Sequence, residues 1–248
     1  MKSALNSYKY DLAVIAPTRN ESDNIKPFLE RLTKAFSGIR HKVVFIDDSS
    51  DNTPEVIKKF SKENIVLVHR PPEERNGLGN AVVRGFKEAE DSKYLSAINV
   101  DLQHPPEILR KLYDEALRTG ADIALPTRFT KGGSTGGLAG PYRKLVAWAF
   151  RFGVRLIFWP RLKRVTDPAS GMYLFKREVI EGADLKPIGF KILLEILIKG
   201  KWSTSTEVPY VFEKRLSGES KAKFGRGLDF LRHLAGLVSF YYFGAKRY

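Results

Sequence analysis

Along the first half of the chain, short apolar runs alternate with segments whose apolar positions recur at helical spacing. Leu12-Ala13-Val14-Ile15-Ala16-Pro17 is continuously apolar, as a strand covered on both faces must be, and Asn24 to Phe36 has the period of a helix. The pair repeats. Lys42 to Ile46 predicts a second strand and Thr53 to Phe60 a helix; Asn64 to Val68 a third strand and Gly79 to Ala89 its helix. Tyr94 to Val100 and Ala121 to Pro126 predict two further strands, with a helix over Pro106 to Arg118 between them. Such alternation predicts an α/β fold with a mostly parallel sheet and helices on both faces. Ligands of such sheets bind at the carboxyl ends of the strands, and the candidate motifs fall there.

After Phe129 the pattern changes. Thr130 to Pro141 is rich in glycine and predicts a mobile loop, a lid over whatever binds at the strand ends. Tyr142 to Trp159 is rich in aromatics with basic residues interspersed; strand-like runs follow at Tyr173-Leu174-Phe175 and Thr204 to Val208. Leu228 to Phe243 has apolar residues at helical spacing.

With 248 residues the chain can bury one full core, and 42 Lys+Arg against 28 Asp+Glu give a formal charge of +14. So basic a protein expects an anionic partner: nucleic acid, anionic lipid or a phosphorylated substrate. The cations follow strand ends singly and do not gather on one face, which argues against nucleic acid. The absence of cysteine excludes disulfides, thiolate metal sites and cysteine nucleophiles. The first ten residues lack an apolar core, so no signal peptide is expected, and no apolar run reaches the length of about 18 residues that a spanning helix needs.

The most informative segment is Ile98-Asn99-Val100-Asp101-Leu102-Gln103-His104-Pro105-Pro106, where an apolar run breaks. Asp101 and Gln103, the latter the only glutamine in the chain, place an acid and an amide carbonyl in alternation, suited to a hard divalent cation that arrives with a phosphate. The plainer alternative is a cap for the next helix. His104 reads as a hydrogen-bonded structural histidine. Pro17-Thr18-Arg19-Asn20-Glu21 ends the first strand, and Glu21 can accept hydrogen bonds from a ribose or base. Asp48, released from the second strand, is placed for the same task, whereas Asp51 and Thr53 cap the following helix. Gly77-Leu78-Gly79 is equally a phosphate approach or a tight, close-packed turn, and Arg70 and Arg75 bring positive charge towards it. Arg128 after the fifth strand, with Arg215, Ser220 and Lys221 further on, is placed for phosphate. Asp167-Pro168-Ala169-Ser170-Gly171 reads as a turn.

Taken in order from about Asp11 to Lys221, these motifs resemble the family-2 glycosyltransferases, and closely the dolichyl-phosphate mannose synthases among them. Thr127-Arg128-Phe129, Arg143-Lys144-Leu145, Gly189-Phe190-Lys191 and Glu207-Val208-Pro209 add to the resemblance. It implies a GT-A, Rossmann-like domain over residues 1–225 and a C-terminal amphipathic, membrane-proximal helix over 226–248. It implies an inverting transfer of mannose from GDP-mannose to dolichyl (polyprenyl) phosphate, with Mg2+ or Mn2+, at the cytoplasmic face of a membrane. By position, Pro17, Glu21, Ile46 and Asp48 would hold the nucleoside. Asp101 and Gln103 would bind the metal, Arg128, Lys191, Arg215 and Lys221 the donor or acceptor phosphates, and Arg143 the lipid phosphate. Asp101 and Arg128 would carry the catalysis.

Two departures bear on the donor site. Asn99-Val100-Asp101 stands where the family usually has Asp-Ala-Asp, and Arg19 where it usually has tyrosine, exchanging a stacking contact for a charged one. Alternatives with the same fold are a UDP-glucose donor, or a silent relative that binds nucleotide sugar. A processive polysaccharide synthase is disfavoured, because its Gln-x-x-Arg-Trp motif cannot be written with Gln103 alone. Trp148, Phe152 and Trp159 with Arg151 and Arg155 suit a helix in the headgroup region. Leu228, Leu231, Leu234, Leu237, Val238, Tyr241 and Tyr242 offer a second such face, or pack on the domain. The chain is expected to dock peripherally or to work with an integral-membrane partner subunit.

Overall fold

The computed structural model describes residues 8–138, 140–213 and 226–244, without the side chains of 141–143 and 226–228. Its strands are β1 (Tyr10–Thr18), β2 (His41–Asp47), β3 (Ile65–His69), β4 (Ser92–Ala97), β5 (Ile123–Thr127), β6 (Tyr173–Lys176) and β7 (Ser205–Pro209). They form one sheet in the order β3-β2-β1-β4-β6-β5-β7. Every neighbouring pair is parallel except those made by β6, which runs antiparallel to β4 and β5. The expected mostly parallel α/β sheet is present, and its one reversed strand was beyond the reach of the hydrophobic pattern.

Strand alternation divides the core in two. From β1, Leu12, Val14 and Ala16 pack against the helices α1 (Ser22–Ala35), α2 (Thr53–Lys58) and α4 (Pro106–Thr119). Ala13 and Ile15 point the other way, towards α3 (Leu78–Glu88), α5 (Gly140–Ile157), α6 (Trp159–Leu162), α7 (Ile192–Lys199) and α8 (Arg226–Phe243). α3 lies close enough to β1 that a Cβ at Gly85 would meet Ile15 Cγ2 at 2.3 Å. β4 ends at Ala97, earlier than its apolar pattern suggests, because the chain from Asn99 onward leaves the ladder and turns.

The glycine-rich segment after β5 is not an isolated lid over its described part. Ser134 N donates to Tyr210 O (3.0 Å), Phe212 N to Ser134 O (3.0 Å) and Gly137 N to Phe212 O (2.8 Å), pinning it along the chain that leaves β7.

α5 and α8 are two-faced. Val154 of α5 and Leu237 of α8 are buried, with Phe150, Ile157, Phe230, Leu234, Val238 and Tyr241 packed against the same core. Leu234, Leu237, Val238 and Tyr241 therefore belong to the domain and not to a membrane face. Leu231, Phe240, Tyr242 and Phe243 stay exposed. On α5 and the start of α6, Leu145, Trp148, Phe152, Leu156 and Trp159 are each more than half exposed. Their three- and four-residue spacing makes one stripe. Arg151 leaves that stripe, donating Nε to Thr166 O (2.6 Å). α8 is fastened to α7 beneath: the imidazole Nε2 of His233 lies 3.2 Å from Glu195 Oε2, and Lys199 Nζ 2.6 Å from Glu195 Oε1, all three side chains being largely buried.

Candidate active site

The strand order reverses between β1 and β4, and a cleft opens at the carboxyl ends of these strands, where α/β sheets bind ligands. Its enclosed part has a volume of about 180 Å³. Pro17 from the end of β1 and Ile98 and Asn99 after β4 form one side; Arg128, Ser170, Gly171, Phe190, Lys191 and Phe212 form the other. Pro17, Asn99, Arg128 and Lys191 are thus brought together from four distant stretches of sequence.

Arg128 follows β5 and is nearly buried. It donates Nε and Nη2 to the two carboxylate oxygens of Asp167 at 2.6 and 2.8 Å, and Asp167 is fully buried. The guanidinium also lies over the rings of Phe129 and Phe212. Asp167, which reads as part of a turn in the sequence, is the residue that orients Arg128. Lys191 caps α7 with its ammonium 4.7 Å from the ring centroids of Phe150 and Phe190. Burial, and then the neighbouring Arg128, lower the Lys191 ammonium to about 8. Two cations and the one carboxylate of Asp167 thus meet at one small cleft and leave a net positive charge there.

His104 is buried, with Tyr210 Oη 3.0 Å from its Nδ1 and the Tyr210 ring stacked beside it. Burial, and then Arg128, push it down to about 3, so it is neutral and structural, as expected. A Cβ at Gly171 would stand 3.1 Å from His104 Nε2 and 3.2 Å from Asn99 Nδ2, so a side chain there would require these groups to shift by a few tenths of an ångström.

Asp101 is buried, and its Oδ1 accepts from Gln103 N (3.1 Å). Between them Leu102 has φ +59°, a conformation costing a non-glycine residue about 1–3 kcal/mol. Two contacts hold it there: Glu213 N donates to Gln103 O (3.1 Å), and Gln103 Nε2 reaches Glu213 O (3.4 Å). Among the described residues no three His, Asp or Glu side chains gather as a metal cage. One carboxylate and one amide make an all-oxygen donor set. It fits a hard cation that takes its remaining ligands from phosphate and water.

After β2, Asp48 is half-buried and accepts from Arg70 Nε (2.8 Å) and Nη2 (2.6 Å). Arg70 is itself buried, so it holds Asp48 and does not bring charge to a phosphate. Next to it, buried Asp47 accepts from Thr18 Oγ1 (2.7 Å), Ser49 Oγ (2.5 Å) and His69 Nδ1 (2.6 Å). Glu21 accepts from Asn24 Nδ2 at 2.6 Å, and Asp51 caps Thr53 through its N (3.0 Å) and Oγ1 (2.6 Å). Arg19 follows β1 and is exposed. The side chains of Ile46, on β2, and Val100, in the turn after β4, are buried in the core on opposite faces of the sheet. Gly77 has φ +107°, and Gly79 N donates to Gly189 O (2.9 Å), so this turn serves close packing of α3 against the chain before α7. Arg215 and Lys221 lie outside the described residues, as does the side chain of Arg143.

The sequence from 13 to 182, β1 through β6, matches the family model of glycosyl transferase family 2. The chain belongs to this family. A dolichol-phosphate mannosyltransferase of Pyrococcus furiosus is 42% identical over 228 residues, 92% of this chain and 63% of that protein. The chain therefore spans less than two thirds of that relative's length. Proteins of the same name from Mycosarcoma maydis (33% identical, 93% of this chain, 79% of the relative) and Saccharomyces cerevisiae (32%, 95% and 90%) are also similar. Among solved structures, glucosyl-3-phosphoglycerate synthase from Mycobacterium tuberculosis, in complex with Mn2+, UDP and glucosyl-3-phosphoglycerate, superposes with a TM-score of 0.69. It is 19% identical, with 94% of this chain and 81% of that one covered, and it shows the family fold.

Proposed function

We propose that this family-2 glycosyltransferase moves mannose from GDP-mannose to dolichyl or another polyprenyl phosphate, with inversion, while docked on a membrane. The observation that carries the proposal is the pair of cations Arg128 and Lys191 in a cleft also lined by Asn99 and His104, the residues that flank Asp101 and Gln103 in the chain. The three curated relatives, all named dolichol-phosphate mannosyltransferase, supply the substrate class.

An oxygen of the acceptor phosphate attacks the anomeric carbon of the sugar. A carbon–oxygen bond forms there as the bond to the leaving diphosphate oxygen breaks. A phosphate monoester is already ionised at neutral pH, so no protein base is needed, and the only histidine of the cleft is buried and neutral. What remains is to hold two anions together and neutralise the leaving group. Arg128 and Lys191 supply fixed positive charge, and Asp48, held by Arg70, presents an oriented acceptor to the nucleoside. Asp101 and Gln103 would hold Mg2+ or Mn2+, which stabilises a leaving diphosphate as a Lewis acid. The Mycobacterium tuberculosis synthase of the same fold has been solved with Mn2+ and with Mg2+ beside UDP. Asn99 replaces a carboxylate at the cleft wall, so the metal site carries one charge fewer.

No helix among the described residues is long and apolar enough to cross a membrane. The exposed stripe of α5 is the surface suited to lie in the headgroup region, with the sheet above it and α8 alongside. Calorimetry with GDP-mannose and UDP-glucose, with and without Mn2+, followed by turnover on a polyprenyl phosphate, tests the proposal. Metal-dependent release of GDP is expected, and Asp101→Ala or Gln103→Ala should abolish it. Full activity in both variants would sink the metal assignment, and preference for UDP-glucose would move the donor.

A further inference from the structure

We propose that Glu207 is a positioning residue, which fixes the Thr166–Asp167 segment and thereby aims Arg128 into the cleft; this rests on the transferase reading of that cleft. Arg128 spends Nε and Nη2 on Asp167, which leaves its other N–H groups for an anion. Their direction is set by where the Asp167 carboxylate stands. Asp167 lies in the irregular chain between α6 and β6, so no helix or strand ladder places it.

Thr166 does. Its N–H donates to Glu207 Oε1 at 2.6 Å and its hydroxyl to Oε2 at 2.8 Å. Thr127 Oγ1, from the residue just before Arg128, lies 2.5 Å from the same hydroxyl. The Thr166 carbonyl accepts from Arg151 of α5. All the polar groups of Thr166 are thereby engaged, and the ring closes: Thr127–Arg128 at the end of β5, Asp167 opposite, and Glu207 on β7 behind both. Leu125 pairs with Glu207 in the ladder, so the acid stands on the strand beside the one that delivers Arg128. Burial pushes the Glu207 carboxyl up, and its bonds to Thr166 oppose that. An acid on an edge strand ordinarily faces water; here both oxygens are spent on the Thr166–Asp167 segment. Placement of a charge donor is worth much: an error near 1 Å costs about 10²-fold in rate.

Glu207→Gln keeps the size but turns an amide NH2 towards a donor; Thr166→Val removes the hydroxyl alone. Each should lower kcat about 10-fold or more while the donor KM changes far less, because ground-state binding also draws on the nucleoside contacts. In an Arg128→Ala background Glu207→Gln should add almost nothing, since a residue acting through Arg128 has nothing left to aim. A kcat within about twofold of wild type in both variants overturns the assignment, as does an undiminished Glu207→Gln effect in the Arg128→Ala background. If Glu207→Gln does not fold, Thr166→Val is read by the same criteria. Wild-type protein that neither binds nor turns over GDP-mannose or UDP-glucose overturns the transferase reading itself; an active wild type with an indifferent Glu207→Gln overturns only this assignment.

Discussion

At the scale of single residues the site is organised by carboxylate–arginine pairs: buried Asp167 with nearly buried Arg128, and half-buried Asp48 with buried Arg70. Removing one partner of such a pair strands the other charge. Asp167→Ala should lower the unfolding free energy by about 3–5 kcal/mol, read as a shift of the urea midpoint at constant slope. Lys191 gives a pH signature. Its ammonium is lowered to about 8 from 10.5, so the charge proposed to meet phosphate is lost as pH rises through that value. kcat/KM should therefore fall on the alkaline side near pH 8, and Lys191→Arg, whose charge persists, should move that limb upward. The unfolded chain binds the extra proton between about 8 and 10.5, so stability itself rises with pH across that window. The sequence pointed to Pro17, Asn99, Arg128 and Lys191, which the fold brings to one cleft, but not to the partners that Arg128 and Asp48 take. Asp167 lies 39 positions from Arg128, and Arg70 lies 22 from Asp48; no local pattern encodes such pairings. The side chains of Ile46 and Val100, the apolar positions of their motifs, are members of the core.

At the scale of elements, most strands and helices were legible because each half of an α/β unit has its own period. Two things were not. The reversed direction of β6 depends on how the chain returns after α5 and α6, which a three-residue apolar run does not record. The double face of α5 and α8 was ambiguous because apolar residues nearly encircle both helices, and only packing shows which side is spent on the core. Trp148 and Phe152 stack on each other at 5.6 Å in the exposed stripe of α5, away from that core. Replacing both with glutamate should cost about 0.5 kcal/mol or less in stability. Binding to vesicles, measured by sedimentation, should nonetheless be lost. Retained binding would show that another surface does the docking.

At the scale of the whole molecule, a formal charge of +14 surrounds a cleft that is itself cationic. Association with anionic vesicles should weaken steeply as salt rises from about 0.05 M to 0.5 M, as the screening length falls below the spacing of surface charges. Vesicles of neutral lipid should bind more weakly and show little of that dependence. The exposed stripe of α5 has one more consequence, which concerns encounter and not affinity. An enzyme lying along that stripe meets a lipid-borne acceptor by diffusion in a plane, so the concentration that governs its rate is the acceptor's mole fraction in the bilayer. Spreading a fixed amount of acceptor through more inert lipid should slow the reaction, whereas adding buffer to the same vesicles should leave the rate per bound enzyme unchanged.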